Sequence, residues 1–282
     1  MSSALITGTS KGIGLETALA FARAGHRVFA TMRNPSASPA LAEAAARENL
    51  PVTISTMYVN SDESVSGAIA AVLKQGPLDV LVNNAGIEAA GAVEELPIDA
   101  FRATMETNYF GPLRCMRAVI PGMRQRRSGC IINVSSVAGR LCPPPMTPYC
   151  ASKWALEALS ECLAGELKTF NVRVALVEPG IIATSMAERL EAPAAESPYR
   201  QRARFSTLYV NAAKNPIPAS VVAAKILEIA GSGTWQLRHP ASPDAAGFIQ
   251  WRKSMSDEEW IDMNAGDDAT FFARLSESSQ SK

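Results

Sequence analysis

Tyr149 and Lys153 stand at i and i+4 at the start of a strong helical pattern that continues through Trp154, Ala158, Leu159, Cys162, Leu163 and Leu167. One helix face therefore carries both, about a turn apart. A free phenol, with a pKa of about 10, is a poor acid–base group at neutral pH, but an adjacent ammonium favours the phenolate and brings it closer to the working range. Ser136 follows the apolar run Cys130–Val134, at the carboxyl edge of an expected strand, where open α/β sheets bind ligands; Ser135 is open to the same reading. Each residue alone has an ordinary explanation, as a surface pair or a turn residue. No G-x-S-x-G elbow surrounds either serine and neither His26 nor His239 has a triad setting, which argues against a serine hydrolase. The cysteines (Cys115, Cys130, Cys142, Cys150, Cys162) are odd in number and lack C-x-x-C spacing, so reduced, packed thiols are expected, with no disulfide framework and no metal site.

Short apolar runs alternating with longer helical patterns must position these groups. The runs are Ala4–Thr7, Val28–Thr31, Thr53–Val59, Val80–Asn83, Cys130–Val134 and Arg173–Val177, with a last one at Thr234–Leu237. They are continuous rather than alternating, as in strands covered on both faces. Helices are expected near Gly14–Ala24, Pro39–Glu48, Glu63–Lys74, Pro97–Thr107, Phe110–Arg126 and Cys150–Phe170, with Pro121 and Gly122 bending or ending the fifth early. Shorter helices are expected at Thr184–Leu190 and Ala219–Ala230, around an Arg-rich stretch Tyr199–Val210. The order predicts a doubly wound, Rossmann-like α/β fold, a parallel sheet flanked by helices, with a C-terminal helical lid over about residues 181–213. One domain is expected over residues 1–275, and the Ser-rich 276–282 is expected to be a disordered tail.

The 282 residues are 47% hydrophobic, enough for a sizeable core, and carry 27 basic against 27 acidic side chains. With no net charge there is no field to recruit nucleic acid or anionic lipid, so the expected partner is a small molecule. Met1 leads into Leu5 and Ile6 without a basic leader, and no apolar run is long enough for a span, so a soluble, cytoplasmic chain is expected.

The first strand runs straight into Thr7-Gly8-Thr9-Ser10-Lys11-Gly12-Ile13-Gly14 and then an amphipathic helix. Glycines in such a turn let a pyrophosphate approach backbone N–H groups at a helix N-terminus. The spacing G-x-x-x-G-x-G differs from the G-x-G-x-x-G fingerprint, and by itself it also fits an ordinary βα turn; no Lys-Ser or Lys-Thr pair follows to make it a P-loop.

Thr7 to Gly14, followed in order by Asn83-Asn84-Ala85-Gly86, Asn108, Ser136, Tyr149-Cys150-Ala151-Ser152-Lys153 and Pro179-Gly180, resembles the motif set of the classical short-chain dehydrogenase/reductase family. The resemblance spans about residues 4 to 185 and implies a hydride-transferring enzyme. It decides for Ser136 over Ser135 as the group that binds the substrate oxygen. Tyr149 becomes the proton donor, Lys153 its partner and a ribose ligand, and Asn108 the holder of a water linking Lys153 to solvent. Cofactor contacts are implied at Gly8, Thr9, Ser10, Lys11, Gly12, Ile13 and Gly14, at Asn84, Ala85 and Gly86 beside the nicotinamide ribose, and at Pro179, Gly180, Ile182 and Thr184 beside the carboxamide.

Where the family carries an acid for the adenosine ribose, this chain has Met32, followed by Arg33, with Lys11 nearby; two cations and no acid favour NADP(H) over NAD(H). The family's usual aspartate after the third strand is also missing. Tyr58-Val59-Asn60 stands there, so the adenine contact falls on the backbone of Val59 and Asn60 or shifts to Asp62. The apolar Ile87, Leu141, Pro143, Met146 and Met186 are the expected substrate pocket, taking a carbonyl or secondary alcohol on a hydrophobic body. A long C-terminal segment with Trp235, Trp251 and Trp260 looks most like the carbonyl, retinoid and hydroxysteroid reductases of the family. By resemblance, helices Phe110–Arg126 and Cys150–Phe170 build a homodimer or homotetramer. Two other readings stay open: a non-catalytic NADP(H)-binding regulator, and an epimerase or dehydratase of the extended branch.

Overall fold

The computed structural model describes residues 2–191 and 196–280. Seven strands form one parallel sheet: β1 (Ser3–Thr7), β2 (Arg27–Met32), β3 (Val52–Thr56), β4 (Val80–Asn83), β5 (Gly129–Val134), β6 (Val172–Glu178) and β7 (Arg238–Pro240). Their order, β3-β2-β1-β4-β5-β6-β7, reverses direction between β1 and β4, which opens a crevice at the carboxyl ends of those two strands. Nearly every residue of β1, β4, β5 and β6 is buried, because helices cover both faces. On one face α1 (Gly12–Arg23), α2 (Ala40–Arg47) and α9 (Ala219–Ser232) bury Phe21, Leu41, Val222 and Ile226. On the other, α3 (Asp62–Leu73), α5 (Gly111–Arg126) and α6 (Thr147–Lys168) bury Ile69, Met116, Met123 and Leu163. The remaining helices are α4 (Ile98–Met105), α7 (Ser185–Glu191), α8 (Gln201–Ala213), α10 (Ala245–Lys253), α11 (Asp257–Ala265) and α12 (Asp268–Gln280).

Several boundaries differ from the sequence reading. Pro121 does not end α5, which runs on to Arg126. Its lost backbone bond is offset by the burial of Met116, Val119 and Met123 on either side. Strand β3 stops at Thr56 rather than Val59, because Ser61 caps α3 and the chain must turn first: Ser61 N–H bonds the Tyr58 carbonyl at 3.0 Å. The last strand is Arg238–Pro240, not Thr234–Leu237; only the Leu237 carbonyl joins the ladder, accepting from Leu176 at 2.6 Å, while Trp235 packs on Lys168. Helix α12 continues through Gln280, past the expected end of order at 275, and residues 281–282 lie outside the described residues. The expected lid falls on α7 and α8, with 192–195 outside the described residues.

Candidate active site

The turn after β1 is built by close approach. Gly8 has φ +72°, and a Cβ there would lie 2.8 Å from the Ala85 Cα; a Cβ on Gly14 would lie 2.3 Å from the Gly8 carbonyl oxygen. A side chain at Gly8 would strike the chain leaving β4, and one at Gly14 would push α1 away from the turn. Thr9 is fully buried, its hydroxyl bonding the Thr31 carbonyl at 3.2 Å, so Thr9 and Gly14 shape the turn from behind. Gly8, Ser10, Lys11, Gly12 and Ile13 face a cavity of about 520 Å³. Lys11 begins α1 without a capping side chain, and no acid lies in the first turn. The free N–H groups and dipole at this helix start suit an anion such as a pyrophosphate. Met32 and Arg33 line the same end, as do Val59 and Asn60, while Asp62 does not; it is engaged by Arg114.

Asn84 donates to the Thr7 carbonyl at 2.9 Å and to the Gly8 carbonyl at 3.1 Å, locking the exit of β4 to the turn after β1. Asn83 bonds Asn133 across to β5 at 2.8 Å. Ala85, Gly86 and Ile87 then continue along the cavity. Gly86 sits so close to its neighbours that a Cβ would meet Asn108 Oδ1 at 3.3 Å and Lys153 Nζ at 3.9 Å. Asn108 occupies a π-helical turn, Glu106–Phe110, between α4 and α5. Its side chain accepts from Ile87 N–H at 2.9 Å and donates to the Ile87 carbonyl at 2.8 Å and to Ser152 Oγ at 2.9 Å. Both amide protons are engaged by protein groups, so the side chain holds the loop beside Lys153.

Ser136, Tyr149 and Lys153 all face the cavity. Ser136 Oγ also accepts from Ala138 N–H at 3.1 Å, capping the 3-10 turn Val137–Gly139. Lys153 Nζ donates to the Val134 carbonyl at 2.8 Å and lies 5.5 Å from the centre of the Tyr149 ring. Burial decides the protonation of this pair. It pushes the Tyr149 phenol well above its ordinary range, the Ser136 hydroxyl opposing, and pushes the Lys153 amine down to about 8, Glu157 opposing. Burial thus opposes the drop that an adjacent ammonium would give the phenol and favours its protonated form.

Pro179, Gly180, Ile182 and Thr184 line the cavity after β6. Two residues that the sequence reading missed fix this loop: Ser242 Oγ accepts from Gly180 N–H at 2.9 Å, and Asp244 Oδ2 accepts from Ile181 N–H at 2.8 Å. Leu141, Pro143, Met146 and Met186 line the next stretch of the cavity, and Phe205 and Tyr209 of α8 join them. The far wall, which sequence reasoning did not place, comes from beyond β7: Phe248, Trp251, Trp260 and Phe271, with Trp251 and Trp260 edge to face at 5.5 Å. Trp235 is not part of it. Arg189 of α7 grips Glu88 with two bonds of 2.7 and 2.9 Å, and buried Arg204 of α8 reaches Asp268 at 2.7 Å, so the lid helices are tied on both sides.

The short chain dehydrogenase family model matches residues 2–195, and the chain belongs to that family. It is 38% identical over 214 residues to the uncharacterized oxidoreductase YusZ of Bacillus subtilis, covering 73% of this chain and 76% of that one. It is 43% identical over 191 residues to human retinol dehydrogenase 8, covering 66% of this chain and 60% of that protein. Among solved structures, a short-chain dehydrogenase from Streptomyces avermitilis superposes with a TM-score of 0.79 at 33% identity, over 90% of this chain and 92% of that one. An actinorhodin polyketide ketoreductase variant with NADPH (TM-score 0.74, 29% identity, 85% and 96% covered) and a Burkholderia phymatum family member with NAD (0.78, 25%, 90% and 93%) share the fold. The protein is therefore an oxidoreductase of a family that works with a nicotinamide cofactor. Among the described residues no helix is long and apolar enough to cross a membrane.

Proposed function

We propose that this protein is an NADP(H)-dependent reductase of carbonyls, or dehydrogenase of secondary alcohols, carried on a hydrophobic body. The observation that carries the reading is one continuous cavity, running from the uncapped start of α1 and Arg33, past Tyr149, Lys153 and Ser136, to the aromatic wall at Trp251 and Trp260. When bound, the cofactor supplies or accepts the hydride. Its phosphates suit the turn at Ser10–Ile13, its ribose the neighbourhood of Ala85, Gly86 and Lys153, and its carboxamide the Pro179–Thr184 loop.

Ser136 and Tyr149 bind the substrate oxygen and hold it beside the nicotinamide end of the cavity. In reduction the Tyr149 phenol, kept protonated by burial, gives its proton to the oxygen as negative charge grows there. Lys153, as an ammonium, stabilises the phenolate left behind. Asn108 keeps the Ile87 loop and Ser152 in place around these groups. Arg33 and Lys11 are exposed at the cavity edge and, among the described residues, form no ion pair, so both are available to a 2′-phosphate.

A screen of aldehydes, ketones and steroids, following NADPH absorbance, tests the reading directly. Tight NADPH binding with no turnover on any of them would favour a cofactor-sensing regulator instead. Homodimer or homotetramer assembly is part of the proposal, supported by the exposure of Phe110 and Trp154 on the expected contact helices. A mass near 30.0 kDa by light scattering at micromolar concentration would oppose it.

A further inference from the structure

Behind Lys153 lies a carboxylate to which the mechanism above gives no part. Glu157 is one helical turn further along α6, and helix side chains lean toward the N-terminus, so its carboxyl lies back against the Lys153 turn. It is only 4% exposed, in a setting where an unpaired charge is strongly disfavoured. Burial pushes its carboxyl above the usual range, and Ser135 and Arg238 of β7 oppose that rise: Arg238 Nε lies 2.8 Å from Glu157 Oε2, while the same guanidinium reaches Glu161 Oε2 at 2.6 Å. The other oxygen, Oε1, and the buried Ser135 Oγ have no further partner among the described residues, and the Ser135 hydroxyl helps hold the Glu157 carboxyl down.

Both atoms converge on one place. A Cβ built on Gly139 would meet Ser135 Oγ at 2.8 Å and Glu157 Oε1 at 3.3 Å. Ser135 directly follows Val134, whose carbonyl holds Lys153 Nζ at 2.8 Å. Glu157 thus shares with Lys153 one turn of α6 and the buried ground beside Val134 and Ser135. The other charges packed around Glu157 are already paired. Arg238 and Glu161 share contacts, and Glu178 of β6 is bridged to Arg140, from the loop after β5, at 3.0 Å. Lys153 is the one cation of the group without a carboxylate in direct contact among the described residues.

We propose that Glu157 is the counter-charge that keeps Lys153 an ammonium in its buried position, and is thereby a positioning residue for the proton chemistry at Tyr149. This rests on the role given to Lys153 above. Burial alone pulls the amine toward neutrality, and Glu157 is the group that resists. A glutamine at 157 keeps the size and an acceptor for Arg238 but removes the charge.

The test uses the full chain with isotope-labelled lysine. NMR follows the Lys153 side-chain signal against pH, assigned by its loss in Lys153→Met. The native midpoint is expected near 8. Glu157→Gln should lower it by about one pH unit, a tenfold change in proton affinity, whereas Glu157→Asp should move it by less than a third of that. The alkaline limb of carbonyl reduction should shift with the NMR midpoint. An unmoved midpoint in folded Glu157→Gln, or equal shifts in the two variants, overturns the proposal. If the glutamine variant does not fold, the native protein decides: the Glu157 carboxyl carbon must show a second inflection at the Lys153 midpoint, and its absence is equally fatal. The NMR readout needs no turnover. A shifted midpoint without any reducible carbonyl defeats the enzyme reading and leaves the charge relationship standing; turnover with an unmoved midpoint does the reverse.

Discussion

Asp244 holds the backbone of Ile181: its Oδ2 accepts the Ile181 N–H at 2.8 Å, while its Oδ1 accepts the hydroxyl of Ser242, which itself takes the Gly180 N–H. The loop after β6 is thereby clamped by a segment more than sixty residues away in sequence. The fit has no slack, since a Cβ on Gly180 would lie 2.3 Å from both carboxylate oxygens. Asp244→Ala should leave one backbone donor, the Ile181 N–H, and the Ser242 hydroxyl without their acceptor, lower stability by about 1–3 kcal/mol and raise the KM for NADPH several-fold. Gly180→Ala should do the same by overpacking, and the double variant should be less damaged than the sum of the two. Thermal melts and NADPH fluorescence titrations read all three.

Tyr149→Phe removes the phenolic proton and keeps the ring. Turnover should fall by roughly 10²-fold or more, with NADPH affinity and melting temperature nearly unchanged. Steady-state kinetics on any carbonyl that the native protein reduces is the check, and native turnover in the variant would remove Tyr149 from the mechanism.

Lys153 gives a pH prediction with a definite sign. Its folded value of about 8 lies below the ordinary 10.5, so the folded state binds its proton less well than the unfolded state. The charged form is penalised by folding at all pH below 8, and the penalty fades as pH rises from 8 to 10.5. Lys153→Met should therefore be more stable than the native protein at pH 7, with the advantage shrinking by pH 9.5; denaturant melts at the two pH values measure it. Reduction, which needs the ammonium, should fall as pH is raised through about 8.

Cofactor choice should follow the exposed cations. NADPH should bind at least about tenfold more tightly than NADH, about 1.4 kcal/mol, and Arg33→Ala should narrow the gap while leaving NADH affinity almost unaltered. Isothermal titration with both cofactors would show equal affinities if the assignment is mistaken.

The aromatic wall should govern substrate size. Phe271→Ala at the cavity edge should weaken kcat/KM for long or polycyclic carbonyls at least tenfold and leave a small aldehyde within about twofold, because only the larger body reaches that wall. A uniform loss across both would mean that Phe271 acts through stability alone.

The parts legible in the sequence are those whose signal is local. Thr7 to Gly14 announces a strand, a turn and a helix start in eight consecutive residues, and Tyr149 with Lys153 shares one helix face by simple periodicity. The strands β1, β2, β4, β5 and β6 were readable because covering on both faces buries them almost throughout, whereas the half-exposed edge strand β3 showed only its β-branched residues. The edge strand Arg238–Pro240 was not, since half of its residues' environment is set by register against Leu176–Glu178 and not by its own composition. Asp244 and Ser242 read as turn residues until β7 brings them under Gly180. The effect of burial on Tyr149 was not legible, because helical spacing gives the ammonium's proximity but says nothing of how deeply both groups are buried.

The far wall of the cavity lies outside the segment that the family model matches. The family match ends at residue 195, whereas Trp251, Trp260 and Phe271 all come after β7. Exchanging the segment beyond Pro240 between relatives would then transplant substrate preference as a cassette while the proposed proton-handling groups stay where they are. Such a graft has one compatibility requirement: the incoming segment must carry its own equivalent of the Ser242 and Asp244 clamp, or the recipient's Gly180 loop arrives without its anchor.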